Sequence, residues 1–111
     1  MKVSTPQSDV IVREFAGRVR RILGEKVVAV RWFGSRARGE ERLDSDFDLL
    51  LETTRPLTAA ERDEVVDATI DIEADYDCLL DVHYYTTQEI RTRPFSMTPF
   101  VMRVLEEAVA V

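Results

Sequence analysis

A single cysteine, Cys78, among 111 residues excludes an internal disulfide framework and a Cys-rich zinc site. No apolar run approaches the roughly 20 residues that a membrane-spanning helix needs, so no membrane association is expected. Met1-Lys2-Val3-Ser4-Thr5-Pro6 does not lead into an apolar stretch ending in small residues, so no secretory signal is expected and the expected setting is the cytoplasm. An excess of basic charge is missing too: the net charge of -6 at pH 7 argues against general nucleic-acid binding. No internal repeat, low-complexity segment or interdomain linker interrupts the chain. Its length suits one domain, expected over residues 1–111, with a core that needs no covalent staple.

What is present fits a globular fold, with 45% hydrophobic and 32% charged residues. The charge is unevenly placed. Residues 1–42 hold ten Lys/Arg against five Asp/Glu, and residues 43–111 hold five against sixteen. A basic part meeting an acidic part suits a site where cations and phosphates are handled together. Scattered solvated charge accounts for the same arithmetic.

Hydrophobic periodicity places the elements. Ser8 is a candidate helix cap, with Ile11, Phe15, Val19, Ile22 and Leu23 inward and Gly24 as the stop. Val27 to Phe33 is β-branched and aromatic and reads as a buried strand running into Gly34-Ser35. Residues 36–45 are too polar for the core and read as turn and loop. Asp46 to Leu51 reads as a second strand, with Asp46 and Asp48 on one face because strand side chains repeat every two residues. Thr58-Ala59-Ala60-Glu61 is a capping box for a helix to about Ala74, with Val65, Val66, Thr69, Ile70 and Ile72 inward. Cys78 to Tyr85 reads as a third strand containing Asp81. Thr87 is a candidate cap for a short helical turn ending before Pro94, and Thr98-Pro99 places a cap and a first-turn proline ahead of a last helix, Phe100 to Ala108. This order predicts an α/β (α+β) domain with a small mixed sheet and helices packed on it.

The most informative stretch is Gly34-Ser35-Arg36-Ala37-Arg38-Gly39, followed by Ser45-Asp46-Phe47-Asp48-Leu49. An Asp-x-Asp pair in an apolar strand is costly unless a cation compensates it. Magnesium does so while leaving positions for substrate phosphates, and two such ions can activate an attacking oxygen and neutralise a leaving one. Asp81 is the natural third ligand, an acid inside an otherwise apolar strand. Gly34 lets backbone approach a phosphate closely; Ser35 adds a hydroxyl, and Arg36 and Arg38 add charge that phosphate oxygens favour. Competing motifs fail. Counted from Asp44, a calcium-binding EF-hand loop would need glycine where Leu49 stands and glutamate where Arg55 stands. A Walker A loop needs Gly-Lys-Ser/Thr, which does not follow the glycine.

Gly34-Ser35, ten intervening residues and Asp46-Phe47-Asp48 resemble the signature of the DNA polymerase beta-like nucleotidyltransferase superfamily. The fuller Gly-Ser-Arg-Ala-Arg-Gly and Ser-Asp-Phe-Asp-Leu wording is similar to its minimal nucleotidyltransferases. The third-strand Leu80-Asp81-Val82 and the ending Pro99 to Glu107 extend the likeness over nearly the whole chain, with a departure at Ala108, where the family commonly has a glycine nearby. The resemblance implies that fold, a nucleoside triphosphate held by Gly34 and Ser35, and two Mg2+ ions on Asp46, Asp48 and Asp81. An acceptor hydroxyl, which Asp81 helps to deprotonate, attacks the α-phosphorus; a nucleoside monophosphate is transferred and pyrophosphate leaves.

Small members of the group are often antitoxins paired with HEPN-domain ribonuclease toxins, and some modify a toxin tyrosine with AMP from ATP. The resemblance therefore implies a protein adenylyltransferase acting on a HEPN-type toxin. Two alternatives remain: a non-catalytic antitoxin that neutralises its toxin by covering it, and nucleotidyl transfer to a small molecule, as in antibiotic-modifying relatives that usually carry a further domain. A partner protein or a second copy is expected to supply much of the specificity, as a homo- or hetero-oligomer.

Other residues carry plainer readings. His83 shares the strand face of Asp81 and could serve an acceptor side or relay a proton, but a lone histidine near a strand end reads first as surface. Cys78 reads as a small buried residue. Trp32, Phe33, Tyr84 and Tyr85 read as packing. Asp63, Asp67 and Asp71 repeat like charge at i, i+4, which costs a few tenths of a kcal/mol each. A solvated face is the first reading of that helix, and a docking face for a basic partner the second.

Overall fold

Alternation along the strands sorts side chains into two cores, one on each side of a four-stranded sheet. The computed structural model describes residues 5–34, 46–92 and 98–111, with side chains from Ser8 onward. Strand β1 (Val27–Phe33) pairs antiparallel with β2 (Phe47–Thr53), and β2 pairs parallel with β3 (Leu80–Thr86). A two-residue β4 (Val109–Ala110) lies antiparallel on the other edge of β1, so the order is β3-β2-β1-β4. Phe47, Leu49 and Leu51 point to one face, where with Val30, Trp32 and Leu80 they meet helices α1 (Thr5–Leu23) and α2 (Ala59–Tyr76). Leu50 points to the opposite face and packs with Ile90 of α3 (Thr87–Arg91) and Val101 and Val104 of α4 (Pro99–Glu107). The architecture is a mixed α/β sandwich of helices, sheet and helices, as expected.

Several local signals act as read. Ile11, Phe15, Val19 and Leu23 are buried on α1. Gly24, at φ +58°, ends the helix and opens a single 3-10 turn, Gly24–Lys26, that leads into β1. Thr58 and Glu61 close both halves of the capping box on α2. Thr98 caps α4 with a proline in its first turn.

Others are corrected. The helix containing Ser8 begins at Thr5, so Ser8 is no cap; it is fully buried with its hydroxyl unpartnered. Thr86, one residue earlier than expected, caps α3 through its own capping box with Glu89. Val66 and Ile70, expected inward, are 38% and 54% exposed. The buried stripe of α2 is Val65, Ala68, Thr69 and Ile72, spaced at i, i+3, i+4 and i+7, and Val66 and Ile70 stand about 100° around the helix from it. The acid-rich face of α2 is partly answered within the chain. Arg18 reaches Asp71 at 3.6 Å and Asp75 at 4.0 Å, and a Glu73 carboxylate oxygen accepts the Leu80 N–H at 2.9 Å. The final strand was not expected at all. Ala108 is extended at φ -70° and ψ 146° and turns the chain directly from α4 into β4. Among the described residues no helix is long and apolar enough to cross a membrane.

Candidate active site

The sheet's α4 face carries the site. Parallel pairing puts Asp48 of β2 directly beside Asp81 of β3, and antiparallel pairing puts Phe33 of β1 on the other side of Asp48. One strand period from Asp81, His83 points to the same face, with Nε2 3.3 Å from Asp81 Oδ2. Gly34 closes the end of β1 at φ +87°, and a Cβ built there would fall inside the Asp48 carboxylate. Two constraints therefore ask for glycine at once: a backbone angle that L side chains avoid, and an acid occupying the space a side chain would need. Phe100, Arg103, Val104 and Glu107 of α4 roof these residues, leaving a cleft of about 320 Å³ that opens onto Gly34, Asp48, Asp81 and His83.

Charge in the cleft is uncompensated by any Lys or Arg ion pair to Asp48 or Asp81 among the described residues. The Asp48 carboxyl is held above the usual carboxylate range. Burial is the largest cause, the Asp81 charge adds to it, His83 opposes it and Asp46 contributes least. Such a carboxylate is stabilised by a cation. One donor atom each from Asp48, Asp81 and His83 lies within 4.8 Å of the others, the one grouping of this kind among the described residues. Hard oxygen donors with no Lys or Arg ion pair among the described residues fit a divalent metal.

The structure brings together three of the residues singled out from the sequence, Gly34, Asp48 and Asp81. Asp46 stands exposed just ahead of β2, outside that donor grouping, and is felt at Asp48 through its charge. Ser35, Arg36 and Arg38 lie outside the described residues. His83, read as surface, is instead half-buried in the cleft, its ring centroid 5.7 Å from that of Phe33 and 4.9 Å from that of Phe100. The period-two phase shared with Asp81 was the signal for it. Arg103 had no signal of its own, since only the packing of α4 on Leu50 places it at the rim of the cleft.

No curated protein matches the chain. Solved structures do. One is described as a minimal nucleotidyltransferase; it superposes with a TM-score of 0.68 at 25% identity, over 98% of this chain and 97% of that one. A toxin-antitoxin structure with AMP-PNP gives a TM-score of 0.57 at 16% identity, over 86% of this chain and 68% of that one. A tri-AMPylated Shewanella oneidensis HEPN toxin in complex with MNT antitoxin gives 0.53 at 13% identity, over 92% and 69%. At that identity the last two share the fold alone. Residues 12–111, which include all of the site described above, match the model of the nucleotidyltransferase domain, and the chain belongs to that family.

Proposed function

We propose that this chain transfers AMP from ATP to a hydroxyl of a partner protein, and that the partner is a HEPN-type toxin for which it is the antitoxin. The observation that carries the reading is the register of Asp48 with Asp81 across two parallel strands, facing a cleft whose floor only glycine fits. Gly34 admits the triphosphate to the backbone, and Ser35, Arg36 and Arg38 are assigned to its phosphate oxygens. Asp46, Asp48 and Asp81 are assigned to divalent cations, two Mg2+ in the simplest case. Bound there, the ions neutralise charge on the triphosphate and on the leaving pyrophosphate.

Asp81, with about half of its side chain exposed at 52%, is open to an incoming acceptor. It takes the hydroxyl proton as the acceptor oxygen bonds to the α-phosphorus and the bond to the β-phosphate oxygen breaks. Phe33 and Phe100 give the cleft an apolar wall beside the carboxylates. The relatives whose folds are shared support the donor and the partner, one with AMP-PNP present and one with a toxin carrying AMP. The acceptor is tested by co-expressing the chain with the product of its neighbouring gene and weighing that product intact. Additions of about 329 Da, the mass of one AMP unit, are expected with wild type and absent with Asp46→Asn/Asp48→Asn.

A second reading, neutralisation by covering the toxin, is favoured by one observation. Val66 and Ile70 form an exposed apolar pair on the acid-rich helix α2, away from the cleft. Under it the same double variant neutralises the toxin as wild type does, and the partner's mass never changes.

A further inference from the structure

His83 lines the cleft beside Asp81 and has no task in the proposed transfer, and it is the only histidine in the chain. It is not a loose surface imidazole. Its ring packs in one cluster with Phe33 and Phe100, at centroid distances of 5.7 and 4.9 Å, and its Nε2 faces Asp81 Oδ2 at 3.3 Å. We propose that His83 is a nitrogen ligand completing a divalent-cation site with Asp48 and Asp81, and that it biases this site from magnesium toward later first-row divalent metals such as cobalt or zinc. The inference rests on the nucleotidyl-transfer reading of the same carboxylates and adds to it which metal the site prefers.

Geometry and chemistry both lead there. The donor atoms of Asp48, Asp81 and His83 already lie within 4.8 Å of one another. Ligands on a common divalent ion sit about 2.0–2.2 Å from it, so opposite donors are about 4 Å apart, and a modest side-chain rotation closes the set. Asp46 stands outside this grouping, in which the donor beside the two acids is the His83 nitrogen. Magnesium prefers oxygen and retains its waters, whereas imidazole favours the later first-row metals. A histidine that merely oriented Asp81 through a hydrogen bond would strengthen every metal alike; a histidine that ligates discriminates between them.

That difference is the test. Tag-free protein is titrated calorimetrically with Co2+ alone and with Mg2+ alone, as wild type, His83→Gln and Asp48→Asn. The expected result is that His83→Gln weakens Co2+ binding about tenfold or more and changes Mg2+ binding less than about threefold. Equal weakening of both metals, or of neither, overturns the proposal. A second measurement needs no variant. With one histidine in the chain, its two ring nitrogens give unambiguous 15N signals, and the Nε2 signal is expected to move to the metal-bound range on adding Zn2+. Ring nitrogens unmoved at saturating Zn2+ would also overturn it. Asp48→Asn separates the two failures. If it retains both metals, the carboxylate reading falls with the histidine; if it loses both while His83→Gln does not discriminate, only the histidine's role is lost.

Discussion

Gly34 and Asp48 are a pair whose identities depend on each other. Gly34→Ala sets a Cβ against the Asp48 carboxylate and forces an L residue to φ +87°. A destabilisation of about 1–3 kcal/mol is expected from the backbone alone, with a further loss from the displaced acid. Denaturant unfolding of a double-mutant cycle checks the split: in an Asp48→Ala background the glycine substitution should cost less, because the carboxylate is gone and only the angle remains.

Asp48 itself is expected to oppose folding at neutral pH. Its native carboxyl binds a proton more readily than the unfolded one, whose ordinary value is 3.8. Protonation therefore favours the folded state below that value, and the advantage is lost as pH rises through the raised native value. Without metal, Asp48→Asn should raise the melting temperature at pH 7 and leave it unchanged near pH 3. A lower melting temperature at pH 7 would mean that the carboxylate is already compensated inside the protein.

At the scale of elements, Glu52 ties three of them together, and its titration has the opposite sign. The residue is 5% exposed on β2. Arg31 of β1 donates to its Oε1 at 2.6 Å, and the Thr87 hydroxyl at the start of α3 donates to its Oε2 at 2.6 Å. Burial pushes the carboxyl up, but the hydrogen bonds from Thr87 and Arg31 and the charge of Arg31 outweigh it and hold the group below its ordinary 4.5. The stability it supplies is present above 4.5 and lost as pH falls through the lower native value. Glu52→Gln should cost about 2 kcal/mol at pH 7, by the worth of hydrogen bonds to a charged group, and should flatten the acid limb of the unfolding curve.

Elements of this kind also show what the sequence made legible. Caps and boxes at Thr58 and Thr98 were readable because their partners lie within three residues, and the acids of the cleft because strand alternation fixes their face. Ser8 misled because a capping residue and a residue one turn inside a helix look the same without the preceding backbone. Val66 and Ile70 misled because hydrophobic identity alone does not set the phase of α2 against α1 and the sheet. β4 was invisible because two residues carry no period, and only the edge of β1 recruits them. Ser35, Arg36 and Arg38 stood out in the sequence as a motif, and they lie outside the described residues.

Across the whole molecule the two cores are unequal, and the cleft lies on the smaller one. Fourteen buried residues from α1, α2 and the sheet form one core, whereas Leu50, Ile90, Val101 and Val104 form the other. Helix α4, which roofs the carboxylates, is nine residues long and rests on that smaller cluster. Short helices with little buried area open at lower free energy than a central strand, so local opening should begin at α4 and β4 and reach β2 last. Native-state hydrogen exchange is expected to show amides of Val101 to Glu107 exchanging through local fluctuations while those of Leu49 to Leu51 need global unfolding. Val104→Ala, which removes two buried methyl groups, should lower the protection of α4 and of β2 by the same amount, about 1–2 kcal/mol, because the locally opened and the globally unfolded states both lose the contact, so α4 stays the less protected of the two. Under the proposed transfer, such an arrangement would let α4 yield to a nucleotide while the sheet holds Asp48 and Asp81 in register. Equal protection across both cores would instead mean that the site is rigid and that entry depends on other parts of its rim.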